Sequence, residues 1–381
     1  MVNKYLYCVP LLFLSSCVLT TDRGTPPENL KSILAQNLVL LPDSQFENLP
    51  PSLKEKEIIF LGEQHRTKGL IQASNRLAGY LTTYKPVVYA MESCYGAHVF
   101  LEAASLGQSY INPKLMLGEI QEFNSKLPEN RKILMTAVDI EHSIYNNKKE
   151  TEQFLQILAN RCTSDVARRI IQKEIPQLTT QDTFDKMNRY LKGLKKLFLQ
   201  YFDTFSPEDQ DEILFSFDLL QASNRYQYIC HGNKRDWQNP HDIRYRYFKK
   251  TIERAYRKAQ KRKAILLCRV GAAHICLDRR TEARYFARDY SLTKGKVASV
   301  SLVPLYYDTT KVDDADPEKH SDIDSIVKML MKDYDYSYLS LSELQKGTDN
   351  SFRWSKYYSS SRPKYDGLLF VRIKKNQDKA D

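Results

Sequence analysis

Short apolar runs set the strongest constraint on this chain: EIIFL at 57–61, PVVYAM at 86–91, ILMTAV at 133–138, AILLCRV at 264–270, VASVSLV at 297–303 and GLLFVRI at 367–373. Each is short and rich in β-branched residues, as strands buried on both faces are. Stretches with helical spacing, 69–83, 97–106 and 113–125, separate the early runs. That alternation predicts an α/β fold, a mainly parallel central sheet flanked by helices. Between about 148 and 262 the pattern changes. TEQFLQILANRC, DVARRIIQKEI, MNRYLKGLKKLFLQYF and QDEILFSFDLLQAS space apolar residues at three and four, with no strand among them. The α/β domain is therefore expected in two halves, 51–147 and 263–381, separated by a helical insertion or cap over 148–262. With 381 residues and 42% hydrophobic content the chain can bury such a core.

The chain opens MVNKYLYCVPLLFLSSCVLTTDRG: a basic start at Lys4, an apolar run, then Leu14-Ser15-Ser16-Cys17. This is the order of a secretory signal. The small residues before Cys17 resemble the bacterial lipobox, in which the cysteine is lipidated and becomes the mature N-terminus. A signal peptide over 1–17, a tether and lead-in over 18–50, acylation (palmitate among the chains) at Cys17 and a place in the bacterial cell envelope, periplasmic or surface-exposed, are the expectations. An ordinary signal or a short anchor helix, with Cys17 incidental, is the plain alternative. No later segment offers the roughly 18 uninterrupted apolar residues of a spanning helix.

Of seven cysteines, Cys8 and Cys17 fall in the signal, leaving an odd five that cannot all pair within the chain. Cys268 and Cys276 bracket His274 without zinc-finger spacing and read as packing. The net charge of +11 lies partly in RYRYFKKTIERAYRKAQKRK, 244–263. A basic helix face of this kind is a solvated surface first and a contact for anionic lipid second. Nucleic acid is not expected as a partner of an exported protein.

In open parallel sheets ligands bind beyond the carboxyl ends of the strands. Polar residues stand there after four of the runs: Glu63 and His65, then Glu92, then Asp139, Glu141 and His142, then His274. Each has a dull reading. Glu63 or Asp139 can cap the following helix, and a histidine at a strand end is commonly structural. Their recurrence at corresponding ends of successive strands is what points to one shared site.

FLGEQH, the glutamate of YAMES, Asp139 of AVDIEH, Arg244 of IRYRYF and VGAAH together resemble the superfamily of erythromycin esterase-like proteins, haem-binding ChaN-like lipoproteins and TraB/Tiki proteins. KYDGLLFV also looks like the closing strand of the esterase-like branch. In that branch the first motif usually continues His-Gly-Thr-Arg-Glu; here it reads His65-Arg66-Thr67-Lys68-Gly69, so the arginine fork is replaced by a lysine. Beside Arg244 the usual acidic or amide residue is Tyr245.

The esterase-like resemblance implies a hydrolase acting on an ester or related carbonyl. His65, oriented by Glu63 or Glu92, would take a proton from water, with His274 as a second acid/base or a substrate holder. Lys68, Asp139 and Arg244 would be on the substrate side, the two cations stabilising developing negative charge. A Tiki-like variant would place a divalent metal on His65, Glu92 and His274. The ChaN-like resemblance implies haem as the ligand, through Tyr or His. A catalytically degenerate scaffold is the third reading. For a working site, His65→Ala and His274→Ala are both expected to leave the melting point near wild type.

Overall fold

The computed structural model describes residues 29–42, 46–65, 67–92, 113–140, 144–181, 183–231, 239–307, 323–347, 357–359 and 362–374. The strands are β1 (Leu38–Leu41), β2 (Ile58–Glu63), β3 (Val87–Met91), β4 (Leu134–Ala137), β5 (Ile265–Gly271), β6 (Val297–Tyr307), β7 (Tyr336–Ser340), β8 (Tyr358–Ser359), β9 (Arg362–Pro363) and β10 (Gly367–Lys374). All but β8 and β9, which pair with each other, form one eight-stranded sheet in the order β1-β7-β10-β6-β2-β5-β3-β4. The six strands from β10 to β4 are parallel; β7 is antiparallel to both β10 and β1.

The six runs read as strands from the sequence are the six parallel ones, and the fold is α/β with a mainly parallel sheet. β2 and β5 are buried at every position and so form the middle of the sheet. One sheet face, with Ile59, Leu61, Tyr89 and Leu267, packs on Leu70, Ala73 and Leu77 of the helix Lys68–Leu81. The other, with Phe60, Val88, Leu266 and Cys268, packs on Phe248, Ile252, Ala255 and Ala259 of the helix Pro240–Lys261. Helices Leu30–Asn37, Ile323–Leu330 and Leu341–Gly347 cover the β7–β10 end.

The helical run is not uniform. Ile144–Arg161, Asp165–Glu174, Phe184–Gln200 and the first half of Pro207–His231 bury apolar residues against one another in a core of their own, centred on Phe154, Leu191, Phe198 and Phe217. The next helix, Pro240–Lys261, instead belongs to the sheet. Among the described residues no helix is long and apolar enough to cross a membrane, and Cys162, Cys230, Cys268 and Cys276 are free thiols. Cys17 lies outside the described residues.

Candidate active site

Parallel strands put all their carboxyl ends on one edge, and the order β2-β5-β3-β4 sets the polar residues after them side by side. Glu63 ends β2 opposite Gly271 of β5. The ladder runs one residue past β3, where the Glu92 amide donates to the Arg269 carbonyl (3.1 Å). Asp139 follows β4 after Val138, whose amide donates to Met91 (2.7 Å).

Glu92 is the hub. The Gly271 amide donates to its Oε2 at 2.6 Å, Arg244 Nη2 donates to its Oε1 at 2.5 Å, and the Nε2 atoms of His65 and His274 lie 3.6 and 3.5 Å from its two oxygens. Burial disfavours its charged form, but the cations around it, His274 foremost, hold the carboxyl well below its usual range. Arg244 also grips Asp139 with Nε (3.1 and 3.2 Å) and Nη2 (2.6 Å). Asp139, 1% exposed, accepts the Ile140 amide at 2.7 Å as well. The helix carrying Arg244 is started locally by Asn239, whose side chain accepts from His241 N, and by Pro240 in its first turn.

The two histidines sit in different surroundings. His274 is 17% exposed, with Nδ1 2.9 Å from Glu282 Oε2 and its ring edge-on to Phe248 at 4.8 Å. Burial acts to lower its pKa, but Glu92 and Glu282 overcome this and push it up to about 10, so near neutral pH it is a fixed imidazolium. His65 is 42% exposed, with Nδ1 3.4 Å from Glu63 Oε1. The bond to Glu63 raises its pKa above the ordinary 6.5, with Glu92 adding to the effect. Gly271 is what lets the ring approach: a Cβ there would lie 2.8 Å from His65 Nε2. Gly62 is required similarly, since a Cβ would meet the Ile275 side chain at 2.3 Å.

Beneath Glu63 lies Arg269, in the middle of β5 and 0% exposed, with Nε 3.5 Å from Glu63 Oε2 and its guanidinium over the Tyr89 ring at 5.9 Å. From the helical segment, Tyr226 packs on the cluster containing Ile140 and Ile243, the neighbours of Asp139 and Arg244.

Six of the residues singled out in the sequence thus lie in one network: Glu63, His65, Glu92, Asp139, Arg244 and His274. Lys68 does not join it. It opens the helix Lys68–Leu81 and makes no ion pair or hydrogen bond to the cluster among the described residues. Glu63 is not a helix cap either; the N-cap position is Thr67, without a side-chain cap bond. Glu141 and His142 lie outside the described residues. Sequence reading missed Arg269, Glu282 and Tyr226. For Arg269 the signal was there, a lone charge inside an otherwise apolar strand.

The divalent-metal alternative on His65, Glu92 and His274 does not fit. Among the described residues no group of three or more His, Cys, Asp or Glu side chains is disposed to hold a metal ion. The Glu92 oxygens are instead engaged by Arg244 and the Gly271 amide, and His274 by Glu282. Of the two histidines, His65 has the exposed ring that would hold a haem iron, and its two nitrogens face Glu63 and Glu92.

The fold, a mainly parallel sheet with a helical segment inserted, is one this chain shares with solved proteins that include an erythromycin esterase. Three solved structures share that fold over nearly the whole chain. A Bacillus cereus protein matches with 12% identity and a TM-score of 0.56, over 90% of this chain and 96% of its own. A succinoglycan biosynthesis protein matches with 11% identity and a TM-score of 0.59, over 91% and 96%. A mutant erythromycin esterase in its open conformation matches with 11% identity and a TM-score of 0.55, over 92% and 97%. ChaN of Campylobacter jejuni, a haem-bound structure, overlaps only at a TM-score of 0.30, too low to carry an argument. At such identities the likeness is one of fold. No family model matches the chain, and no curated protein does.

Proposed function

We infer that the protein is a metal-independent hydrolase of an ester or related carbonyl, held at the bacterial envelope by a lipid on Cys17. The observation that carries the catalytic reading is the contrast between the two rings: one exposed, braced at Nδ1 by a buried carboxylate and titrating above 6.5, the other a buried cation. Glu63 accepts the Nδ1 proton of His65 and fixes the tautomer, leaving Nε2 to take a proton from an attacking water. The imidazolium so formed is stabilised by Glu63 and Glu92. His274 and Arg244 supply positive charge beside Nε2, where a carbonyl oxygen turning into an oxyanion gains most. Asp139 and Glu282 hold those cations in place.

The test is turnover of a panel of nitrophenyl esters and lactones by the purified protein and by His65→Ala. Hydrolysis that falls about 10²–10⁴-fold in the variant is the expected result. Equal turnover by both proteins, or stoichiometric haem uptake with a Soret shift and no ester turnover, would overturn the reading.

A further inference from the structure

Arg269 is an odd residue for the middle of a central strand. It is fully buried, and the positions before and after it, Cys268 and Val270, are 0% exposed core. Removing a guanidinium from water is expensive, and an ion pair at 3.5 Å in the interior seldom repays it better than apolar packing would. Stability alone is therefore a poor reason for an arginine here.

Its position relative to the two histidines supplies another reason. Each ring has a carboxylate at Nδ1, Glu63 for His65 and Glu282 for His274, and both rings face Glu92. The two carboxylates differ in what lies behind them. Glu63 turns its second oxygen to Arg269, 3.5 Å away, whereas among the described residues Glu282 is paired with His274 at 2.9 Å and has only the longer-range charge of Lys249 on its other side. A carboxylate shared with a permanent cation attracts a neighbouring proton less than one that is not shared. We propose that Arg269, without touching substrate, shares the Glu63 carboxylate with His65 from the opposite side and so sets His65 as the base of the site.

Arg269 is on this account a positioning residue, and the inference rests on the reading of His65 as the base. The groups that face His65 are Glu63 from β2, Glu92 from the end of β3 and His274 from the turn after β5; Arg269 acts on it through the first of these. Removing the arginine's charge leaves His65 as the main counter-ion of a buried carboxylate. The proton on His65 is then held more tightly, and the ring comes to resemble His274.

The experiment is an NMR titration of the histidine rings in the purified protein, with His65 assigned through His65→Gln. Arg269→Met should raise the His65 midpoint by about one pH unit or more, a tenfold gain in proton affinity, and Arg269→Lys, which keeps the charge, should restore it towards wild type. Should the methionine variant fail to fold, Arg269→Gln tests the same point, with the same upward shift expected. An unchanged or lowered midpoint in the neutral variant overturns the proposal. The readout needs no substrate, so it is separable from the enzymatic reading. An upward shift in Arg269→Met together with undiminished ester turnover in His65→Ala would retain the electrostatic role and reject the base.

Discussion

His65 and His274 occupy matching places in two G-x-x-H segments, and the sequence alone gives them the same expected behaviour. Their surroundings separate them. His65 is partly exposed and makes only long contacts, so His65→Ala should lower the unfolding free energy by only about 1 kcal/mol, for the Glu63 oxygen left without a partner, while turnover falls about 10²–10⁴-fold. His274 is clamped between Glu92 and Glu282, and its loss strands two buried carboxylates. His274→Ala should therefore destabilise by about 3 kcal/mol, an unequal effect of the two substitutions that denaturant melts of the variants resolve. The same clamp sets a pH dependence. The folded pKa of His274 is raised from 6.5 to about 10, so its stabilisation is complete below 6.5 and is lost as pH rises through about 10. Glu92 is shifted the other way: its contribution is complete above 4.5 and is lost as pH falls through its depressed folded value. Urea melts across pH should show these two contributions together at full strength between 4.5 and 6.5, with the alkaline decline missing in His274→Ala.

At the scale of elements, the strand ends do the assembling, and glycine sets the spacing. Gly271→Ala places a methyl 2.8 Å from His65 Nε2 and 3.4 Å from Glu92 Oε2. The more exposed ring should yield, so turnover should fall at least about tenfold, with a melting change of about 1 kcal/mol or less; wild-type turnover in this variant would contradict the placement of Nε2. The parallel strands inside the sheet were legible because strands buried on both faces read as unbroken apolar runs, and the edge strand β4, with Leu134 exposed, because its residues are apolar all the same. β1 and β7 were not. LVLL at 38–41 is very short, and YSYLS at 336–340 alternates polar and aromatic residues. Arg269 was passed over for the converse reason, one charge averaged away inside an apolar run. The helix Pro240–Lys261 reads from its charges as part of the helical insertion, yet Phe248, Ile252, Ala255 and Ala259 hold it to the sheet. Sheet docking is what carries Arg244 to Asp139 and Glu92, a pairing across 105 and 152 residues that no local pattern reports.

For the molecule as a whole, the helices from 144 to about 220 bury a core separate from those on the sheet. They meet the site at a small apolar junction, where Leu219, Ala222 and Tyr226 pack near Ile140 and Ile243. Tyr226→Ala should therefore alter the preference among esters more than it alters stability, a change read as a shift in relative kcat/KM across the ester panel; unchanged preference would place the junction outside the substrate's reach. The proposed envelope location is a separate matter and rests on the sequence Leu14-Ser15-Ser16-Cys17. Cys17→Ala should leave the precursor unprocessed or move the protein out of the detergent phase, because stable anchoring needs more than one acyl chain; normal processing with unchanged partitioning would contradict it. On the proposed reading, one edge of the sheet holds two histidines in opposite charge states, one a base and one a cation. Ring titration of the wild-type protein by NMR tests it most directly. The expected result is a His65 midpoint above 6.5 and a His274 midpoint near 10. Two rings titrating together, or His274 losing its proton at or below 6.5, would contradict it.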